Sequence, residues 1–351
     1  MNKYRNRSII GNASLLSALK KMDKIDKKLL IVLDKNDKFL GLLSIGDIQR
    51  AIIKNVSLGD EIHKNLRKNI RIAKPEDSPE QIEAMILEFR MELCPVITSD
   101  KEIINVYFWE DLFQKSKPTP SASFDIPVVI MAGGYGSRLR PLTHVLPKPL
   151  IPLGEKTMLE HIFQNFAIYG CQSFYISVNY KAPLIKYYIN QLGLPYEVSF
   201  FEENKPLGTA GSLGLLKGKI QGTFFVSNCD ILIDQDYSEV LDYHRSHNNE
   251  ITIIAALKNY YVPYGTIETG EDGVLLDMKE KPELTFKINS GMYILESHLL
   301  EEIPDDQFFH ITELIQKVKA RGGKVGVFPV SESAWKDIGD WKLYLSENKI
   351  A

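Results

Sequence analysis

Apolar positions along the chain follow two rhythms, and the segment KSKPTPSASFDIP at 115–127 separates them. Upstream, Leu15, Leu16, Leu19 and Met22 recur at helical spacing, and the apolar runs Leu29 to Leu33 and Phe39 to Leu43 flank the turn Asp34-Lys35-Asn36-Asp37. The spacing predicts helix, strand, strand, and then a second helix over 44–54. The order then returns. Ser78 reads as an N-cap with Pro79 at the first helical position and Gln81 closing a capping box, ahead of the stripe Ile82, Met85, Ile86 and Phe89. Two apolar segments at 95–98 and 103–108 follow, then a short helix from Trp109. A repeat of roughly sixty residues is implied.

Downstream, apolar strands at 128–131, 174–178, 196–201 and 223–227 alternate with helical patterns at 158–169, 183–192 and from Thr209; Gly170 and Gly193 stop the first two helices. Such alternation predicts an α/β fold with a doubly wound, mostly parallel sheet whose ligands sit at the strands' C-terminal ends. The expected division is a smaller α/β module over 1–116, a Pro/Ser-rich linker over 117–126, and a larger domain over 127–351.

Composition narrows the chemistry. At 351 residues, with 44% apolar and 25% charged residues, the chain suits a two-domain globular protein. A formal net charge of −3 leaves no basic excess for nucleic acid, so anions must be met by locally placed cations. Cys94, Cys171 and Cys229 have no C-x-x-C spacing, the opening residues MNKYRNRSIIGNASLL lack the apolar core of a signal peptide, and no apolar run reaches ~20 residues. Reduced thiols, a cytoplasmic location and no membrane partner are expected.

The strongest local signal is VVIMAGGYGSRLRPLTHVLPKPLIPL at 128–153. Gly133, Gly134 and Gly136 let backbone N–H groups approach a phosphate after a strand, with Arg138 and Lys148 as nearby charge. The segment lacks the G-K-[ST] of a Walker A loop and the third small residue of a dinucleotide fingerprint. Further on, Asp230 stands where the apolar run 224–227 emerges. The histidines 161, 244, 247 and 310 form no metal-ligand spacing and read as packing or surface residues.

The 133–149 segment resembles the signature of the sugar-nucleotide pyrophosphorylases, G-G-x-G-[ST]-R-L followed by P-x-T and P-K-P. It matches at Gly133, Gly134, Gly136, Ser137, Arg138, Leu139, Pro141, Thr143, Pro147, Lys148 and Pro149. The resemblance implies a nucleotide site at Ala132, Gly133, Gly134, Gly136 and Ser137, with Arg138 and Lys148 as catalytic cations. It implies Mg²⁺ on Asp230, the counterpart of an N-G-D aspartate although Cys229 replaces the glycine, and on Asp337 of Trp335-Lys336-Asp337-Ile338-Gly339. Asp340 stands where that family usually has threonine. Pro206-Leu207-Gly208-Thr209-Ala210-Gly211 resembles the base and ribose loop, with Gly208 and Thr209 against the nucleoside and Glu203 as the expected acceptor for a guanine edge. Pro263-Tyr264-Gly265, Glu280-Lys281-Pro282 and Asn289-Ser290-Gly291 resemble the sugar-phosphate segments, which assigns Tyr264, Gly265, Glu280, Lys281 and Asn289 to that substrate.

The N-terminal repeat resembles a tandem pair of CBS domains. Gly41-Leu42-Leu43-Ser44-Ile45-Gly46-Asp47 matches the family's G-h-h-[ST]-x-x-D, implying that Ser44 and Asp47 meet a purine nucleotide; in the second copy Phe108 replaces the hydroxyl residue while Asp111 keeps the aspartate. A packing and dimerisation module is the alternative. Together the two resemblances imply Mg²⁺-dependent transfer of a nucleoside monophosphate, GMP from GTP for preference, to a sugar 1-phosphate by a homo-oligomer. The domain combination is similar to the bacterial glucosamine-1-phosphate guanylyltransferases of legionaminic acid synthesis. Mannose- or heptose-1-phosphate guanylyltransferases, thymidylyl- or uridylyltransferases and a non-catalytic nucleotide sensor are the alternatives.

Overall fold

The apolar stripes of the N-terminal repeat become the buried faces of its helices and strands. In the computed structural model, which describes residues 3–89, 91–112, 122–339, 341, 344 and 345, the chain divides into two units, Met1–Thr119 and Pro120–Ala351. Unit 1 runs β1 (Ser8–Ile10), α1 (Leu15–Ile25), β2 (Leu29–Leu33), β3 (Phe39–Ser44), α2 (Ile45–Ile53), α3 (Pro79–Phe89), β4 (Leu93–Ile97), β5 (Ile103–Phe108) and α4 (Trp109–Leu112). Helix α1 buries Leu15, Ala18, Leu19 and Met22. At α3, Ser78 N–H donates to Gln81 Oε1 (2.8 Å) and Gln81 N–H to Ser78 Oγ (3.3 Å), the reciprocal cap that stops the helix from fraying.

The repeat is visible in the ladders. β1 pairs parallel to β2 and β2 antiparallel to β3, while in the second half a parallel bridge from Ala73 to Val96 stands in for the first strand beside the antiparallel pair β4–β5. The copies share one core, in which Ile31, Leu33, Phe39 and Leu42 meet Leu93, Ile97, Val106 and Phe108.

Unit 2 opens with β6 (Val128–Met131) and a short hairpin, β7 (Pro152–Leu153) and β8 (Lys156–Thr157). There follow α5 (Met158–Ala167), β9 (Ser173–Val178), α6 (Ala182–Gln191), β10 (Glu197–Glu202), α7 (Gly208–Gly211), β11 (Thr223–Asn228), β12 (Ile231–Ile233) and α8 (Tyr237–Ser246). The chain closes with β13 (Ile251–Tyr261), β14 (Thr266–Thr269), β15 (Leu275–Lys279), β16 (Glu283–Glu296), α9 (Ile311–Ala320), β17 (Val325–Val330) and β18 (Trp335–Asp337). The helix expected from Thr209 is one α-turn followed by a 3-10 segment over Ser212–Leu216; Gly208, Gly211 and Gly214 within eight residues oppose a longer one.

A seven-stranded sheet, ordered β10-β9-β6-β11-β16-β13-β17, forms the centre. All neighbours pair in parallel except β16, which is antiparallel to both β11 and β13. One face carries a core of α5, α6 and α8 side chains (Phe163, Phe166, Ile185, Tyr237), and the other a core built on α9 and the 3-10 segments (Leu213, Leu300, Leu314, Val318). Covering both faces leaves the strand ends as the open places for polar chemistry. Two features escape this layering. β12 and β18 form a two-stranded antiparallel ribbon of their own, and the distal halves of β13 and β16 run past the end of β17 into the β14–β15 hairpin.

Among the described residues no helix is long and apolar enough to cross a membrane. All three cysteines are free and buried. Burial pushes the Cys94 and Cys171 thiols up to about 11 and that of Cys229, which also faces the Asp230 carboxylate, up to about 12, so they rest as thiols.

Candidate active site

The glycine turn leaves the C-terminal end of β6 at the middle of the sheet. Ala132 is buried and donates its N–H to Ser177 O of β9 (3.1 Å). Gly136 lies at φ 62°, and a Cβ there would come within 2.8 Å of Thr143 Cγ2; Thr143 Oγ1 in turn donates to Gly136 O (3.0 Å). Only glycine meets both demands, a left-handed backbone and a gap too small for a methyl group. Gly134 has open space before it, as a turn facing a ligand requires.

Four charged groups converge beside this turn. Lys148 Nζ pairs with Asp230 Oδ2, both side chains about nine-tenths buried; Arg138 reaches Asp230 (3.5 Å) and Asp337 (3.7 Å) from a half-exposed position. The two carboxylates come from segments more than a hundred residues apart. The β12–β18 ribbon joins them, pairing Ile231 with Asp337, and Ile338 N–H donates to Asp230 O (3.0 Å). A Cβ on Gly339 would stand 2.6 Å from Asp337 Oδ1, 2.7 Å from Arg138 NH2 and 2.8 Å from Asp230 Oδ2. Gly339 is therefore a residue of the site that was visible only as the last letter of the W-x-D-x-G pattern. Asp340 lies outside the described residues, as does part of the expected linker.

Two aspartates suit Mg²⁺, which keeps several waters and is usually held by one or two carboxylates together with substrate phosphates. Among the described residues no cluster of three or more His, Cys, Asp or Glu offers a self-sufficient cage.

The loop after β10 packs differently from its expected use. Glu203 is buried, its Oε1 accepting from Ser177 Oγ and its Oε2 from Leu207 N–H (3.1 Å), while a Cβ on Gly133 would lie 2.7 Å from Oε1. It braces the 203–207 loop beneath the glycine turn, where an acceptor for a guanine edge was expected. Exposed Glu202 pairs with Lys186. Gly208, at φ 79°, makes its close approach to Phe309 O, which a Cβ added there would meet at 2.7 Å, so the neighbour that excludes a side chain is protein backbone. Thr209 Oγ1 accepts from Ile311 N–H (3.0 Å) at the start of α9.

The residues expected to hold the sugar phosphate form two groups. Tyr264 is 75% exposed, Glu280 Oε2 lies 3.1 Å from a Cβ position on Gly265, and Lys281 pairs with Glu280 (4.0 Å); all stand at the root of the β14–β15 hairpin. Asn289 sits nearer the carboxylates. Its Oδ1 accepts from Gly291 N–H (3.1 Å), Gly291 abuts Asn228 at the end of β11, and Trp335 Nε1 donates to Ser290 O (3.2 Å).

In unit 1, Ser44 and Asp47 are joined in the capping box of α2: Asp47 Oδ2 accepts from Ser44 N–H (2.8 Å) and Oγ (2.7 Å). Its other oxygen meets Arg50 (2.5 Å) and Arg67 (2.8 Å). A ribose hydroxyl would have to compete with two guanidinium groups for that oxygen. Asp111 lies in α4, exposed.

Residues 127–351 match the profile of the nucleotidyl transferase family and residues 8–54 that of the CBS domain. A mannose-1-phosphate guanylyltransferase catalytic subunit beta from Drosophila pseudoobscura pseudoobscura is 36% identical over 238 residues, 62% of this chain and 60% of that one. The corresponding subunit from Dictyostelium discoideum is 33% identical over 229 residues, 62% of each chain. The chain thus spans less than two thirds of the length of these curated relatives. A Bacillus anthracis glucose-1-phosphate thymidylyltransferase candidate, crystallised with sucrose, shares the fold at 19% identity and a TM-score of 0.50, over 64% of this chain and 94% of that one.

Proposed function

From the premise that the chain belongs to the nucleotidyl transferase family and carries an N-terminal CBS domain, we propose that it transfers GMP from GTP to a sugar 1-phosphate with release of pyrophosphate. The observation that carries this reading is the quartet Arg138, Lys148, Asp230 and Asp337 beside a glycine turn at the end of a parallel strand. A sugar-phosphate oxygen, already anionic at neutral pH, forms a bond to the α-phosphorus as the α–β bridging bond breaks and the electron pair leaves on pyrophosphate. No base or covalent intermediate is needed; the barrier is repulsion between anions and their orientation. Asp230 and Asp337 would hold Mg²⁺, and the chemistry it supplies there is neutralisation of charge shared by the two phosphates. Lys148, confined by its burial, and Arg138, free to swing, stabilise charge on the α-phosphate and the departing pyrophosphate. Lys281 and Glu280 are assigned to the sugar phosphate and hydroxyls, Asn289 to the sugar side.

Guanine is favoured by the relatives' names, and Glu203 contributes by setting the shape of the loop before Gly208. For the sugar, the relatives point to mannose 1-phosphate, whereas the added CBS domain keeps the glucosamine 1-phosphate of the legionaminic acid enzymes in view. A non-catalytic sensor is disfavoured because all four charged groups are retained and converge. The test is a matrix of nucleoside triphosphates against sugar 1-phosphates read by pyrophosphate release. The expected maximum lies at GTP with mannose or glucosamine 1-phosphate; a maximum at UTP or dTTP would overturn the guanylyl reading, and no release from any pair would overturn the transferase.

A further inference from the structure

Five lysines among the described residues of unit 2 are partly buried: Lys148, Lys181, Lys186, Lys217 and Lys258. Four of them have oxygen partners. Lys148, Lys186 and Lys217 pair with carboxylates, and Lys181 donates to two backbone carbonyls. Lys258 pairs with neither kind of oxygen among the described residues; its Nζ stands over the ring of Trp335, 5.8 Å from the centroid. That is near the outer limit of about 6 Å for a cation–π contact, and so weak compensation for an ammonium drawn partly out of water.

The ring beneath it is tied to the site. β17 ends its pairing with β13 at Val330, and Glu332 Oε2 then accepts the N–H of Asn259 (3.2 Å), which keeps the chain against the edge of β13. From there Trp335 Nε1 reaches Ser290 O on β16, beside Asn289 of the sugar side. On β18, Trp335 and Asp337 are two residues apart, so their side chains leave the same face of the ribbon about 6–7 Å from one another. The unpaired ammonium is thereby joined through one indole to the metal carboxylate and to the Asn289 segment, whereas Arg138 and Lys148 belong to the nucleotide turn. Shielding of the indole by the lysine stem would account for the methylenes and leave the charge without a role.

Resting on the transfer reaction proposed above, we propose that Lys258 is a further cation for the phosphate of the sugar 1-phosphate. A dianionic nucleophile must be brought against a triphosphate, and a cation on the nucleophile's own side lowers the cost of that approach. The test uses the full chain with Mg²⁺. Lys258→Met keeps the stem over Trp335 and removes the charge, so KM for mannose or glucosamine 1-phosphate should rise about tenfold or more, the loss of one charge-assisted bond, while KM for GTP stays within about twofold. Lys258→Arg should recover most of the loss. Calorimetric titration of the same sugar 1-phosphates should show the same weakening without turnover. Should Lys258→Met not fold, Lys258→Gln is read by the same two measurements. Normal turnover with an unmoved sugar-phosphate KM and affinity overturns this assignment alone and leaves Lys258 as a shield for the indole. An equal rise in both KM values together with a lower melting temperature also overturns it, in favour of a structural role. A wild type that neither binds a sugar 1-phosphate nor releases pyrophosphate overturns the transferase reading and this one with it.

Discussion

At Asp230 one carboxylate serves two arrangements. Within the chain itself it neutralises Lys148 and, at longer range, Arg138. In the proposed reaction the phosphates would draw on the same cations and the metal on the carboxylate. Exchange of partners within a preformed cluster costs little reorganisation, which is the condition for electrostatic catalysis. Asp230→Asn should therefore lower kcat by about a hundredfold or more at a preserved fold, read by pyrophosphate release alongside circular dichroism. Gly339→Ala makes a sharper test of the geometry. Its added methyl would meet three charged atoms at 2.6–2.8 Å, so it should spread the quartet and reduce kcat severely while leaving the melting temperature within a few degrees. Near-wild-type kcat in Gly339→Ala would show that the quartet opens during turnover.

At the scale of elements, the phosphate turn depends on the loop between β9 and α6. Lys181, at φ 55°, donates from Nζ to His144 O (2.6 Å) and Val145 O (2.8 Å), and Tyr180 Oη donates to Thr143 O (3.1 Å). These bonds clamp the arm that leads to Lys148. Lys181→Met keeps the aliphatic stem and removes both charge-assisted bonds; because the site is exposed, the stability loss should stay within about 1–2 kcal/mol. Activity should fall further than that, chiefly as a higher KM for the nucleotide, and Lys181→Arg should restore part of it. Equal kinetics in the wild type and Lys181→Met would remove the clamp from the account.

Most elements were legible in the sequence because each buries one face, and periodicity records burial: the stripe Leu15, Leu19, Met22 and the run Phe224 to Val226 became buried surfaces as their spacing requires. Arg138 and Lys148 were legible because the glycine turn and its charges are local in sequence, whereas Asp337 entered only through the W-x-D-x-G resemblance. What escaped was non-local. Gly208 is fixed by the backbone of Phe309, about a hundred positions away, and Glu203 by a serine on a neighbouring strand. The alternation along β14 and β15 marks a ribbon, but whether anything covers a ribbon is a property of its surroundings.

For the whole molecule, a second charged cluster ties elements together away from the site. Glu250, at the approach to β13, accepts from Arg321 at the end of α9 (3.1 and 2.5 Å) and meets His298 (2.8 Å). The Arg321 hydrogen bonds, with smaller help from His298, hold its carboxyl at about 2, below the ordinary 4.5. A depressed folded-state value means the contribution is complete above about pH 4.5 and is lost as pH falls toward 2. Wild type should thus melt above Glu250→Gln at neutral pH, with the gap closing through that acid window; a gap constant from pH 7 to pH 2 would assign the effect to packing.

The β12–β18 ribbon has a consequence for vectorial synthesis. The glycine turn, both cations and Asp230 are translated long before Asp337, and the strand that brings Asp337 home is among the last of the domain to be made. A nascent chain therefore holds three of the four charged groups before the fourth is made. Closing that ribbon brings the fourth beside them. A truncation between Val330 and Trp335 should leave a body that keeps every strand of the central sheet yet is unable to complete the proposed chemistry.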